Sequence, residues 1–181
     1  EAFSREGARL VLHAHSNVAS LKERAATLKT PYLIHGADLR NADEVERLFD
    51  AAVAELGAPD GVICNAAIAY HKVPIHEMPL EQWEDTINTN LTATFLVLRE
   101  YFRYLKKVNP WEASVVIVSS TAALFGEEGN ADYAASKAAI TQGLTRSLKN
   151  EIVRLVPNGR VNAICPGWTH TPMAEPSLAD P

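Results

Sequence analysis

Residues 119–137 read SSTAALFGEEGNADYAASK, and the fold follows from what stands on either side of them. The residues before them, Ser114–Val118 (SVVIV), form a short β-branched run of the kind that makes a strand in a buried parallel sheet. The residues after them continue as a helix, expected to begin with Tyr133 and Lys137. These two are four apart, so on a helix they share a face, one turn above the other. Ser120 lies at the carboxyl end of the strand, where open α/β sheets bind ligands. A phenol has an ordinary pKa of about 10. A neighbouring ammonium favours the phenolate, so Lys137 is expected to draw Tyr133 down towards the range of general acid–base catalysis.

Outward from this stretch, strand and helix signals alternate. Glu1–Glu6 reads as the tail of a helix that Gly7 terminates. Ala8–Ala14 and Tyr32–His35 read as buried strands, with a helix between them marked by Val18, Leu21, Ala25 and Leu28. Asn41 with Glu44 makes a capping-box start. The helix behind it carries Val45, Leu48, Phe49, Ala52, Val53 and Leu56 and stops at Gly57. Gly61–Cys64 is a third strand, followed by a loop with Pro74 and Pro79. Trp83, Ile87, Leu91, Phe95, Leu98, Phe102 and Leu105 then form what reads as one unbroken helical stripe. Ile140, Leu144, Leu148 and Ile152 line the helix after Tyr133. Asn158-Gly159 is a turn signal ahead of a last strand, Arg160–Ile164. The alternation predicts an α/β fold: a doubly wound parallel sheet with helices on both faces.

Composition excludes several classes. The 181 residues are 47% hydrophobic and 22% charged, ordinary for a globular domain, and suffice for one domain with a substantial core. A formal charge of −5 gives no footprint for nucleic acid or an anionic membrane. No apolar run reaches membrane-span length, and no signal-peptide pattern opens the chain. Cys64 and Cys165 give neither a disulfide framework nor metal spacing, so a cytoplasmic setting is expected. Of the six histidines, only His13 and His15 are close, and no third ligand stands at a recognisable distance. No metal site is expected, and the absence of a Gly-x-Ser-x-Gly elbow argues against a serine hydrolase.

Ser120, with Tyr133-Ala-Ala-Ser-Lys137 thirteen positions on, resembles the signature of the classical short-chain dehydrogenase/reductase family. The resemblance covers essentially the whole chain and implies a Rossmann-like fold and an oxidoreductase. A hydride would pass between the nicotinamide of NAD(P) and a small-molecule carbonyl or secondary alcohol. It implies that Tyr133 exchanges a proton with the substrate oxygen, that Ser120 holds that oxygen, and that Lys137 tunes Tyr133 and binds the nicotinamide ribose. Asn90 matches the helix asparagine that completes the catalytic set, distorting its helix and holding a proton-relay water. Asn65-Ala66-Ala67 resembles the family's Asn-Asn-Ala-Gly turn under the cofactor, with Cys64 in place of the first Asn and Ala67 in place of Gly. Asp38 and Leu39 match the positions that contact adenine. Pro166, Gly167, Thr169 and Thr171 match the segment that holds the nicotinamide carboxamide, with Thr169 where relatives carry Val or Ile. Relatives also pair the helices that carry Trp83–Leu105 and Tyr133–Leu155, which implies a homodimer or homotetramer.

Two expected parts are missing from this sequence. The first strand with its glycine-rich, pyrophosphate-binding turn does not precede Glu1, and the C-terminal helix and strand do not follow Thr171–Pro181. Residues 1–181 are therefore expected to be a single but incomplete domain of a longer polypeptide, with its sheet split where the first strand should stand. Were this the whole protein, a non-catalytic cofactor-sensing or scaffolding relative would be the alternative. Cofactor choice falls at His13-Ala14-His15-Ser16-Asn17, where no carboxylate stands to repel a 2′-phosphate. His15, Ser16 and Asn17 offer donors, so NADP(H) is expected over NAD(H). The substrate stays open among 3-oxoacyl thioesters, sugars, polyols and steroid-like ketones. Leu124, Phe125, Ile68, Tyr70 and Trp168 are expected to give an apolar-leaning pocket.

Overall fold

In a computed structural model that describes residues 1–171, strands and helices alternate in two compact units, Glu1–Asp60 and a second beginning at Gly61. The expectations for 172–181 lie outside the described residues. In the first unit, α1 (Ala2–Arg5) ends at Gly7, whose φ of +85° suits a residue without Cβ. β1 (Leu10–Ala14), α2 (Val18–Ala25) and β2 (Tyr32–Gly36) follow. The two strands pair in parallel, Leu10 opposite Tyr32 and Ala14 opposite Gly36. α3 (Ala42–Leu56) buries Val45, Leu48 and Ala52 and stops at Gly57, φ +81°. The capping box is only half formed. Asn41 Oδ1 accepts from the backbone N–H groups of Asp43 (3.0 Å) and Glu44 (3.3 Å). The Glu44 carboxylate, however, accepts from the Asp38 N–H at 2.7 Å, because Asn41 N already donates to the Asp38 carbonyl.

The second unit contains β3 (Gly61–Cys64), α4 (Leu80–Ile87), α5 (Ala93–Val108), β4 (Glu112–Val118), α6 (Ala122–Phe125), α7 (Ala131–Ala138), α8 (Thr145–Ile152) and β5 (Asn158–Ile164). Its sheet has the order β3-β4-β5, all parallel, with Cys64 opposite Ile117 and Val118 opposite Ile164. Central β4 buries Ala113, Val115 and Ile117, and the core is completed by Leu98, Tyr101, Leu105, Ile140 and Ile152. Among the described residues the strands form one sheet of two, β1-β2, and one of three, β3-β4-β5.

Three expectations need correction. Asn158-Gly159 is not a loop turn but the start of β5, paired with Glu112 and Ala113. Glycine is needed there for packing, since a Cβ would meet Ile152 Cγ1 at 2.7 Å. The Trp83–Leu105 stripe is broken by a π-helical turn at Asn88–Thr92. The wider turn rotates the apolar face, so Thr94, Leu98, Tyr101 and Leu105 are buried while Phe95 is 44% exposed. The helix carrying Tyr133 begins two residues before it, at Ala131, and has its own π-helical turn at Ala139–Leu144.

Candidate active site

At the carboxyl end of β4 the chain turns sharply. Ala122 N–H donates to Ser120 Oγ at 3.1 Å, and Thr121 N–H donates to the Pro166 carbonyl at 2.9 Å. Lys137 is anchored to the same strand end twice. Its Nζ donates to the Val118 carbonyl at 2.9 Å, and its own backbone carbonyl accepts from Ser119 Oγ at 3.0 Å. Thr141 Oγ1 donates to that carbonyl too, at 3.0 Å, and lies 2.6 Å from Ser119 Oγ. Ser119 and Thr141 were not singled out in the sequence. The doubled serine was the one available signal, and Thr141 acts through a π-helical turn that residue patterns do not show.

Lys137 Nζ lies 5.6 Å from the centre of the Tyr133 ring. The phenol does not behave as the helix spacing suggested. Burial raises the Tyr133 pKa above its ordinary value, the Ser120 hydroxyl opposes this, and the Glu127 carboxylate adds to it. Lys137 does not offset the burial because it is itself 3% exposed; burial pushes its pKa down to about 8.

Asn90 is fully buried on the π-helical turn between α4 and α5. Its Oδ1 accepts from Ile68 N–H at 2.8 Å, and its Nδ2 donates to the Ile68 carbonyl at 2.9 Å and to Ser136 Oγ at 3.2 Å. Ser136 Oγ in turn donates to the Tyr133 carbonyl at 2.7 Å. Asn90 thus ties the segment after β3, which carries Asn65 and Ala66, to the helix that carries Tyr133 and Lys137. Asp132, beside Tyr133 and 1% exposed, accepts from Thr86 Oγ1 at 2.7 Å and Gln82 Nε2 at 3.2 Å. This α4–α7 clasp was missed, although an acidic residue in a first helical turn is a recognisable signal.

The remaining predicted residues sit at strand ends within their own units. Asn65 and Ala66 are exposed just after β3, and Gly167, Thr169 and Thr171 are exposed beyond β5. In the first unit, His15 and Ser16 are exposed after β1, while Asp38 and Leu39 follow β2 half-buried. Arg40 grips Asp38 through Nε and Nη2, holding its pKa at about 2, and His15 Nε2 lies 3.8 Å from Asp38 Oδ2. His13 Nε2 donates to the Ala37 carbonyl at 2.8 Å, a structural bond between strand ends. Among the described residues no cluster of His, Cys, Asp or Glu could hold a metal ion. Cys64 and Cys165 are free thiols, and burial pushes Cys64 up to about 12. Within the second unit the small residues Ala66 and Gly167 stand exposed beyond strand ends, where a flat ring system can approach the backbone. Within the first unit the hydroxyl of Ser16 and the imidazole of His15 are exposed donors; each set by itself is of a kind that suits part of a nicotinamide dinucleotide.

The family profile described as short chain dehydrogenase matches residues 1–181. A 3-oxoacyl-[acyl-carrier-protein] reductase of Thermotoga maritima is 32% identical over 96% of this chain and 69% of its own. Cis-4-hydroxycyclohexanecarboxylate dehydrogenase of Sinomonas cyclohexanicum is 34% identical over 79% of this chain and 55% of its own. The chain therefore spans between about half and 70% of these relatives. A crystal structure of a short-chain dehydrogenase/reductase from Burkholderia xenovorans superposes with a TM-score of 0.86 over 99% of this chain and 67% of that one, at 24% identity, and shares its Rossmann-like fold. With a profile match along its whole length and the parallel strand order to go with it, the chain belongs to the short-chain dehydrogenase family.

Proposed function

We propose that the protein is an NAD(P)-dependent oxidoreductase that interconverts a carbonyl and a secondary alcohol, with Tyr133 as its proton donor and acceptor. The observation that carries this reading is Lys137, its Nζ anchored to the end of the strand that leads into Ser120 and standing 5.6 Å from the centre of the Tyr133 ring. The nicotinamide cofactor, when bound, supplies or accepts the hydride. Lys137, Asn65, Ala66, Pro166, Gly167, Thr169 and Thr171 are the residues proposed to hold its nicotinamide end, and Asp38, Leu39, His15 and Ser16 its adenosine end. Tyr133 gives its proton to the substrate oxygen in reduction. Its burial suits that role, because the phenol stays protonated at neutral pH. Ser120 donates to the same oxygen and fixes it within reach of Tyr133. Asn90 keeps the two walls of the site in register through Ile68 and Ser136.

Leu124, Phe125, Tyr70 and Trp168 are exposed apolar side chains, which supports a substrate with an apolar body. NADP(H) is the proposed preference, because no carboxylate stands in 13–17. Asp38, 3.8 Å from His15, keeps the discrimination modest. Phe95, Phe102, Leu144, Leu148 and Leu155 line an apolar groove between α5 and α8, proposed as the contact with a second copy of the chain. Turnover of a carbonyl and alcohol panel, followed at the nicotinamide absorbance band, tests the reading. Tyr133→Phe is expected to lower kcat by orders of magnitude with cofactor binding retained; near-normal turnover would refute the assignment. His15→Asp is expected to move the ratio of kcat/KM values towards NAD, and an NAD-favouring unmodified enzyme would refute the preference.

A further inference from the structure

The helix that carries Tyr133 and Lys137 also carries Asp132 and Ser136, each standing one residue before one of them. On α7 the two pairs therefore form neighbouring stripes. The stripe of Asp132 and Ser136 meets Gln82, Thr86 and Asn90, which are themselves spaced by four along α4 and the π-helical turn after it. Asp132 Oδ2 accepts from Thr86 Oγ1 at 2.7 Å and from Gln82 Nε2 at 3.2 Å. One turn on, Ser136 Oγ accepts from Asn90 Nδ2 at 3.2 Å. Asp132 is 1% exposed and Thr86 is fully buried. A carboxylate so enclosed is costly unless it is hydrogen-bonded, so swinging it away from Thr86 is strongly opposed. Neither Thr86 nor Asp132 stands in the signature of Ser120, Tyr133 and Lys137.

Resting on the reading of Tyr133 given above, we propose that Asp132 and Thr86 are positioning residues that set the rotation of the first turn of α7 and so aim the Tyr133 hydroxyl. They act through the helix rather than on substrate. Lys137 is held separately. Its Nζ donates to the Val118 carbonyl at 2.9 Å, and its own carbonyl accepts from Ser119 Oγ and Thr141 Oγ1, both at 3.0 Å. The far end of α7 is thus pinned to the end of β4, and its first turn to α4. Without the bond to Thr86 the first turn can roll while Lys137 stays in place. A roll of about 10° carries a side-chain tip about 5–6 Å from the helix axis through about 1 Å. A misplacement of about 1 Å can cost a reaction about a hundredfold.

The test uses the purified full-length protein and a carbonyl that the substrate panel shows it to reduce. It measures the single-turnover rate of reduction and, separately, the cofactor Kd from quenching of tryptophan fluorescence. Thr86→Val keeps the shape of the side chain and removes the donor. Asp132→Ser removes the carboxylate together with its charge, and decides the matter should the first variant not fold. Either is expected to slow reduction by about ten- to a hundredfold and to leave the cofactor Kd within about threefold. The double variant should lose no more than the worse single one, because both remove the same bond. Thr86→Ser, which keeps the hydroxyl, should return to within about threefold of the parent rate. A clasp that only held the fold together would weaken cofactor binding as well. Reduction unchanged in both variants, or cofactor binding lost in step with it, overturns the proposal. The Tyr133 ring signal in protein carrying isotope-labelled tyrosine, assigned by its absence from Tyr133→Phe, gives a readout without turnover. It should move in Thr86→Val and return in Thr86→Ser, and a signal that stays in place overturns the proposal too. If the parent reduces nothing on the panel, the oxidoreductase reading fails, while the ring signal still decides the clasp.

Discussion

Replacing Lys137 by methionine should make the protein more stable at neutral pH, although it removes a residue proposed to be essential. Lys137 is 3% exposed, and burial lowers its pKa from 10.5 to about 8. That gap of about 2.5 pH units, at about 1.4 kcal/mol for each, puts the cost of keeping the ammonium inside the fold at about 3 kcal/mol. Methionine has a similar length and carries no charge. It also leaves the Val118 carbonyl without its 2.9 Å donor, which offsets the gain by about 1 kcal/mol. The net expectation is about 2 kcal/mol, or roughly 4–8 °C in Tm for a chain of this size. The pH dependence follows from linkage. Folded Lys137 binds its proton less tightly than unfolded Lys137, so the cost is carried in full below pH 8 and fades as pH rises towards 10.5. Tyr133 is present in both proteins; its raised pKa removes stability only above about 10. Denaturant melts of both proteins at pH 7, 8, 9 and 9.5 should therefore show the advantage of the variant shrinking with pH. A variant less stable at pH 7, or an advantage constant over that range, would refute the reasoning.

Asn90→Ala should lower stability by about 1–3 kcal/mol, since it strips partners from both polar groups of a half-buried Ile68 backbone. Hydrogen exchange should show the Ile68 amide losing protection, and an unchanged exchange rate would count against the tie. Gly159→Ala should cost about 1–3 kcal/mol, because the new Cβ meets Ile152 Cγ1 at 2.7 Å and the Val156 carbonyl at 3.1 Å. A thermal melt within one degree of the parent would show that β5 does not need glycine at this position.

What could be read from the sequence was local. The run SVVIV, Gly57 after an amphipathic helix and the strand Gly61–Cys64 announce themselves within a few residues, and all three stand where expected. Ser120, Tyr133 and Lys137 could be singled out as candidates because their spacing is fixed by one strand end and one helix. The errors arose where distant residues decide the outcome. The Trp83–Leu105 pattern looks continuous because i+3 and i+4 spacing carries no record of an inserted residue; the insertion is held by Asn90 bonding to Ile68, 22 positions away. Lys137 was expected to lower the Tyr133 pKa from its place one turn along. Burial of both groups reverses that, and burial belongs to the packed fold rather than to the spacing.

Both helices that build the candidate site are widened by a π-helical turn, and each turn falls next to a residue the site depends on. Asn88–Thr92 contains Asn90, and Ala139–Leu144 begins two residues after Lys137. Widening a helix breaks the i→i−4 ladder and frees carbonyls that need other donors. Here side-chain hydroxyls supply them. Thr94 Oγ1 donates to the Asn90 carbonyl at 2.7 Å, Thr145 Oγ1 to the Ile140 carbonyl at 2.9 Å, and Ser119 and Thr141 share the Lys137 carbonyl. Asn90, Ser119 and Lys137 are each less than a tenth exposed, so unsatisfied carbonyls beside them would be costly. The threonines and the first serine of the Ser119-Ser120 pair thus stabilise distortions, while Ser120 Oγ takes no part in them and accepts from the Ala122 N–H instead. The doubled serine at the end of β4 divides two tasks between adjacent residues, Ser119 holding the helix of Lys137 and Ser120 left to the chemistry proposed for it.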